Sequence, residues 1–185
     1  MAVIGVLGTL DTKGQEHAFV AQQIRTRGHQ PLLIDVGTGE SPQIVPDITR
    51  EQVAQAGGID LSALAARADR GECVTAMAAA APKLLEQLQR DGRIDGVISL
   101  GGGGGTAIAT AAMRALPIGF PKMMVSTLAA GNTTHYLGTK DIMMLPSIVD
   151  VAGLNRISRT ILTRAAGAIC GMVEAVIKVD DARPL

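Results

Sequence analysis

The 185-residue sequence is poor in aromatic residues, with no Trp, one Tyr and two Phe. Its core must therefore rest on Val, Ile, Leu, Ala and eight Met, which suit a sheet covered on both faces by helices. The shortage of aromatic rings also argues against a single-stranded nucleic acid partner, because such sites stack bases on aromatic side chains.

An excess of charge, a long apolar run and a cysteine framework are also missing. Seventeen basic residues balance seventeen acidic ones, so no overall field attracts nucleic acid or an anionic membrane. No uncharged apolar run approaches the roughly 18 residues that a membrane helix requires. Cys73 and Cys170 lie far apart in Ala-rich stretches, which predicts free thiols rather than disulfides. We expect a soluble, cytoplasmic protein with no nucleic-acid or membrane partner.

Apolar runs that end at glycine or at small polar residues alternate with helical patterns along the chain. Strands are predicted at residues 2–7, 31–36, 94–100, 122–126 and 142–145. Helices are predicted at residues 13–27, 50–56, 61–70, 75–90, 106–116 and 151–176, and Asp150 is the predicted N-terminal cap of the last one. This alternation predicts an α/β fold with a doubly wound, mostly parallel sheet, either Rossmann-like or flavodoxin-like.

Five consecutive glycines, Gly101–Gly105, follow the third predicted strand and precede Thr106. Each glycine in an ordered element costs about 0.5–1 kcal/mol relative to alanine, so a simple turn does not explain five. Exposed amides at a helix N-terminus bind anions, and Thr106 could add a hydroxyl for a phosphate oxygen or a hydrated metal. The alternative is a tight strand-to-helix turn packed against a neighbouring backbone.

A second polar loop, residues 8–14, follows the first predicted strand. Thr9 and Thr12 offer hydroxyls, Lys13 a positive charge, and Asp11 a carboxylate that could hold Mg²⁺ through water. Alternatively, Asp11 or Thr12 caps the following helix and Lys13 is a solvated residue of its first turn.

The relative position of these loops predicts where a ligand would lie. Ligands of doubly wound sheets bind where the winding reverses, so we expect strands one and three to be neighbours. Both loops are then expected to present unpaired backbone amides to negative charge. Asp35, which ends the second strand, is expected either to accept hydrogen bonds from ribose hydroxyls or to form a turn.

Together with the segments 46–48 and 153–157, these loops resemble the ATP-binding domain family of the tomato mosaic virus resistance protein, most of whose bacterial members are uncharacterised. The resemblance implies a Rossmann-like nucleotide-binding domain at 1–178 and a linker at 179–185 to a second domain absent from this chain. It implies ATP, with Mg²⁺ as a candidate companion, bound by Gly8, Thr9, Leu10, Asp11, Thr12, Lys13, Asp35, Gly101, Gly102, Gly103, Gly104, Gly105, Thr106, Ser126, Thr127 and Gly131.

Three functions remain open at the level of the sequence. The first is an ATP-type nucleotide-binding domain of a larger two-domain protein. The second is a regulatory or protein-interaction module with a structural nucleotide, in which the small-residue helix around 165–171 either joins a homo-oligomer or packs on its own sheet. The third is an NAD-linked enzyme or a small-molecule kinase domain. No catalytic or metal-ligating residue is assigned, and enzymatic activity is left open.

Overall fold

The computed structural model describes residues 1–65 and 69–176. Their centre is a five-stranded sheet, in which every neighbouring pair is parallel and the order is β2-β1-β3-β4-β5. The strands are β1 (Val3–Gly8), β2 (Gln30–Asp35), β3 (Gly96–Gly101), β4 (Lys122–Ser126) and β5 (Met143–Pro146). The α/β doubly wound prediction is confirmed, and the order is the flavodoxin-like one, with β1 beside β3.

Helices cover both faces of this sheet. They are α1 (Leu10–Thr26), α2 (Arg50–Gly57), α3 (Leu61–Ala65), α4 (Arg70–Arg90), α5 (Gly103–Ala115), α6 (Thr134–Leu137) and α7 (Arg156–Glu174). Helices α2, α4 and α5 pack on one face and contribute Val53, Met77 and Ile108 to its core. Helices α1 and α7 pack on the other, with Val20 and Ile169. Because both faces are covered, the strands are nearly continuous apolar runs.

Four helices, α1, α4, α5 and α7, begin at other residues than the sequence predicts. Helix α1 begins at Leu10 rather than 13, and non-helical backbone at Lys13 (φ −133°, ψ 27°) kinks it there. Helix α4 begins at Arg70, because the Asp69 carboxylate caps its first turn by accepting from the Glu72 amide. From there the helix is continuous to Arg90. The predicted interruption between residues 70 and 75 is therefore wrong.

At the end of the described chain, the predicted cap of the last helix is also wrong. Asn155, not Asp150, caps α7, and it exchanges hydrogen bonds with Ser158 in a capping box. The buried Ala165 and Ala166 of α7 lie in the core beneath the sheet, so this part of the small-residue helix packs on its own domain. The predicted linker 179–185 and the stretch 66–68 of a predicted helix lie outside the described residues.

Within the described ranges, no helix combines the length and the apolar composition needed to cross a membrane.

Candidate functional site

An open cleft of about 690 Å³ lies at the carboxyl ends of β1 and β3, the two strands at which the winding of the sheet reverses. Doubly wound sheets bind their ligands at this position. The cleft is lined by the turn after β1, the segment 38–40 after β2, the N-terminal end of α4, and the glycines at 102–105. The cleft thus brings together most of the predicted site residues of the loop 8–14 and of the glycine run.

The glycine run forms the start of helix α5. Gly102 is its N-cap, no side chain caps the helix, and the Thr106 amide donates to the Gly102 carbonyl at 2.8 Å. Among the described residues, the amides of Gly103, Gly104 and Gly105 have no hydrogen-bond acceptor. These amides carry the positive end of the helix dipole. The unpaired amides predicted for this loop are therefore present, whereas anion binding there stays a prediction.

Backbone conformation does not explain why these positions are glycine. None of the five has a positive φ, the conformation that favours glycine. A Cβ added at Gly103 would meet no atom within 4 Å, and one at Gly104 would lie 3.5 Å from Val74. Because Gly103 has no side chain, the space next to the unpaired amides is open. Glycine is common where a ligand approaches the backbone closely.

The loop after β1 differs from the expectation. The Leu10 amide donates to Asp35 Oδ1 at 3.1 Å, the Thr12 amide to Asp11 Oδ1 at 2.8 Å, and the Lys13 amide to the Thr9 carbonyl at 2.9 Å. The prediction of unpaired amides is therefore wrong for these three residues. The helix that they open begins three residues earlier than expected, and its first donors are taken by Asp35 at the end of β2 and by Asp11 and Thr9 of the loop itself.

Gly8 has a packing role. A Cβ at Gly8 would lie 1.8 Å from Nε2 of His17, which is fully buried against the end of β1. Nδ1 of His17 lies 2.7 Å from the Lys13 carbonyl, and Nε2 lies 3.2 Å from the Leu7 carbonyl. Burial lowers the pKa of His17 below its usual 6.5, although both hydrogen bonds oppose this effect. The buried imidazole therefore packs against Gly8 and lies within hydrogen-bond distance of the chain on both sides of this loop.

Lys13 lines the cleft, but its ammonium group is directed elsewhere. Nζ donates to the carbonyl of Val151, in the segment that leads to α7. The buried Glu16, one turn further along α1, accepts a hydrogen bond from the Gly153 amide through Oε1. Helix α1 thus holds the 151–153 segment at two points, and the Lys13 ammonium group uses one of its hydrogens in this contact.

Asp35 does not line the cleft. It is 1% exposed, and its Oδ1 accepts from the amides of Leu10 and Gly37. Its Oδ2 accepts from Nε of Arg50 at 2.8 Å, in an ion pair whose arginine side chain is 9% exposed. The carboxylate joins the start of α1, the end of β2 and the start of α2, and the structure does not place it where a ribose could reach it.

Asp11 holds the segment 38–40, which follows β2 and lines the cleft. Its Oδ2 accepts from the Gly39 amide at 2.8 Å, and a Cβ at Gly37 would lie 2.8 Å from its carboxylate carbon. With Oδ1 bonded to Thr12, both oxygens of Asp11 have protein partners. The part of the chain that the structure describes contains no group of three or more His, Cys, Asp or Glu residues arranged to hold a metal.

Four further predicted site residues are not part of the cleft lining: Thr106 of α5, Ser126 at the end of β4, and Thr127 and Gly131 after it. Thr106 and Ser126 are both fully buried, and their hydroxyl oxygens lie 2.7 Å apart, so they bond to each other. The Thr127 hydroxyl lies beside the glycine run, since a Cβ at Gly102 would be 3.6 Å from it. Gly131 is exposed and its amide donates to the Leu128 carbonyl.

Sequence reasoning missed four polar cleft residues: Thr38, Glu40, Asp69 and Arg70. Arg70 and Glu40 are exposed, and within the described ranges neither has a hydrogen-bond or ion-pair partner. The cap at Asp69 was the signal available for α4, because Asp three residues before an acidic residue marks a helix start. Nothing in the sequence placed this helix end opposite the glycine run.

Fold and cleft together define a flavodoxin-like α/β domain with an open, ligand-sized cleft at its topological switch point. The chain belongs to the uncharacterised protein family UPF0261, whose N-terminal domain it matches over residues 2–178.

The chain is also similar to individual proteins of bacteria and of a plant. The chain is 45% identical to a UPF0261 protein of Clostridium tetani over 169 residues, which are 91% of this chain and 42% of the relative. It is 44% identical to one of Rhizobium meliloti over 184 residues, 100% of this chain and 45% of the relative. It is 32% identical to the ToMV resistance protein Tm-1(GCR237) of Solanum lycopersicum over 182 residues, 90% of this chain and 24% of the relative.

The family resemblance predicted from the sequence is confirmed by these matches, whereas ATP binding stays a prediction. The chain spans less than half the length of the bacterial relatives described above.

Proposed function

We propose that this chain is an ATP-type nucleotide-binding domain that holds the ligand's phosphates against the amides of Gly103, Gly104 and Gly105. The observation that carries the proposal is the set of three unpaired amides, free of side chains, at a helix N-terminus inside a cleft of about 690 Å³. Anions are favoured at such a site by both the open N–H donors and the helix dipole.

In this proposal Mg²⁺ accompanies the nucleotide rather than occupying a site of its own. The described residues contain no cluster of three metal-ligating side chains, and the Asp11 carboxylate is bonded to Thr12 and Gly39. Magnesium is commonly held by one or two carboxylates together with substrate phosphates. The phosphate oxygens would therefore supply ligands that the protein does not.

Thermal unfolding in the presence of ATP, ADP, AMP and NAD, each with and without Mg²⁺, tests the proposal. A ligand at about a hundredfold over its dissociation constant adds about 2.7 kcal/mol to the free energy of unfolding. Absence of stabilisation by all four ligands at millimolar concentration would contradict the proposal. Stabilisation by NAD at lower concentrations than by ATP would favour the NAD-linked alternative, and phosphate release from ATP would indicate turnover.

A glycine variant makes the test specific to the loop. In Gly103→Ala the methyl group meets no protein atom within 4 Å, so the fold tolerates it, yet it occupies the space above the amides. Side chains on a helix tilt towards its N-terminus, which directs this methyl to the ligand side. We expect ATP affinity to fall about tenfold, a change of about 1.4 kcal/mol, while the free energy of unfolding is unchanged or higher.

Gly171→Ala is the matched control. Gly171 lies inside α7, and a Cβ there also meets no atom within 4 Å, so the same substitution is made away from the cleft. It should raise the free energy of unfolding by about 0.5–1 kcal/mol and leave ATP affinity unchanged. Equal affinity losses in both variants, or none in Gly103→Ala, would contradict phosphate binding at the glycine run.

A further inference from the structure

The charged residues that the sequence offers most directly to a nucleotide already have partners inside the protein. Lys13 Nζ donates to the Val151 carbonyl, and Asp35 is buried in its ion pair with Arg50. Asp35 would have to leave the core to contact a ligand, because both of its oxygens have partners there. The Lys13 ammonium group is held at the segment before α7, and moving it fully onto a ligand would give up that contact.

Two other charged residues line the same cleft and have no such partner. Arg70 is the first residue of α4, and Glu40 belongs to the segment 38–40 after β2. Both side chains are exposed, and no hydrogen bond or ion pair occupies either one among the residues that the structure describes.

We propose, building on the nucleotide-binding function above, that Arg70 and Glu40 are the charged residues that contact the nucleotide, Arg70 its phosphates and Glu40 its ribose hydroxyls. In this assignment the roles of Lys13 and Asp35 are structural: Lys13 holds the segment before α7, and Asp35 joins the elements behind the cleft.

The position of Arg70 supports the phosphate contact. The N-terminal end of α4 lies against the glycine run, since a Cβ at Gly104 would be 3.5 Å from Cγ2 of Val74. Arg70 therefore projects from a helix end that lines the same cleft as the amides of Gly103 and Gly105. A guanidinium group binds phosphate oxygens with two parallel charge-assisted hydrogen bonds, which a lysine ammonium group cannot do.

The backbone that carries Glu40 is fixed in place, which supports the ribose contact. The Gly39 amide donates to Asp11 Oδ2 at 2.8 Å, and the Gly39 carbonyl accepts from Nη1 of Arg50 at 3.1 Å. Glu40 follows directly, five residues after the end of β2, and lines the cleft. A carboxylate is an acceptor only, and vicinal ribose hydroxyls are donors that match it.

Calorimetric titration with ATP and with inorganic tripolyphosphate, which has no ribose, separates the two roles. Arg70→Gln should lower the affinity for both probes about tenfold or more, because it removes charge-assisted hydrogen bonds to phosphate. Glu40→Gln should lower ATP affinity several-fold and leave tripolyphosphate affinity equal or higher. Lys13→Gln, which keeps a donor for the Val151 carbonyl, should change either affinity by less than about threefold.

Arg93→Gln is the charge-matched control, because Arg93 is exposed before β3, at the opposite end of the sheet from the cleft. It should leave both affinities at the wild-type value. A larger loss in Lys13→Gln than in Arg70→Gln, or an equal loss of tripolyphosphate affinity in Glu40→Gln, overturns the assignment while nucleotide binding stands. If the wild-type chain binds neither probe, the proposed function fails and the assignment fails with it.

Discussion

The hydroxyl oxygens of Thr106 and Ser126 lie 2.7 Å apart in the core, although the residues are 20 positions apart in the chain. Thr106 is on the first turn of α5 and Ser126 ends β4, so the pair ties the glycine-run helix to the neighbouring strand. Ser126 also accepts a hydrogen bond from the Leu128 amide at 3.0 Å. The start of the proposed phosphate-binding helix is therefore fixed from the protein side, away from the cleft.

Removing this contact should destabilise the fold. Thr106→Val keeps the shape of the side chain and leaves the buried Ser126 hydroxyl without this partner, which costs about 1–3 kcal/mol. Urea unfolding measures the change. Thr106→Ser keeps the hydroxyl and is the control, so a loss in Thr106→Ser as large as in Thr106→Val would show that the hydrogen bond is not the cause.

Breaking the buried ion pair should have a larger effect. Asp35→Asn keeps the size of the side chain but leaves the buried Arg50 guanidinium without its counter-charge, and breaking a buried pair costs about 3–5 kcal/mol. Asp91→Asn, at the exposed C-terminal end of α4, is the same substitution without a buried partner and should stay within about 0.5 kcal/mol of wild type. Similar urea midpoints for the two variants would contradict this account.

The contact between Gly8 and His17 should appear as an energetic coupling. Gly8→Ala places a methyl group 1.8 Å from the His17 ring position and should destabilise the fold by about 1–3 kcal/mol or more through overpacking. The double variant with His17→Ala removes the clash, so its loss should be smaller than the sum of the two single losses by about 0.5–3 kcal/mol. If the losses of the two single variants simply add in the double variant, the destabilisation by Gly8→Ala does not come from a clash with His17.

Stability should fall as the pH falls below 6.5, in part because of His17. Burial holds the folded-state pKa of His17 below the value of 6.5 that applies to the unfolded chain. Between these two values the unfolded state binds more protons, so the contribution of neutral His17 is complete above pH 6.5 and is lost towards lower pH.

The measurement is the free energy of unfolding at pH 7.5 and pH 5.5 for the wild type and His17→Gln. The other two histidines, His29 and His135, are unchanged in the variant, so the comparison isolates His17. A pH dependence in His17→Gln as steep as in the wild type would rule out His17 as its source.

The architecture and the position of the cleft could be predicted because they depend on local patterns. Apolar runs of strand length separated by helical periods indicate a parallel sheet, and a run of five glycines indicates an exposed backbone wherever it occurs. Helix starts were less predictable. Residues 10–12 have no distinctive helical pattern, yet the Asp35 carboxylate accepts the Leu10 amide and the first turn begins there.

The amino-acid sequence by itself determined the doubly wound sheet, the glycine run at a strand end and the absence of an aromatic core. Only the tertiary structure decided which charged groups remain free to meet a ligand. Lys13 bonds to Val151, 138 positions away, and Asp35 to Arg50, 15 positions away, whereas Arg70 and Glu40 have no partner within the described ranges. Such pairings join elements that meet only after folding, and no local pattern encodes them.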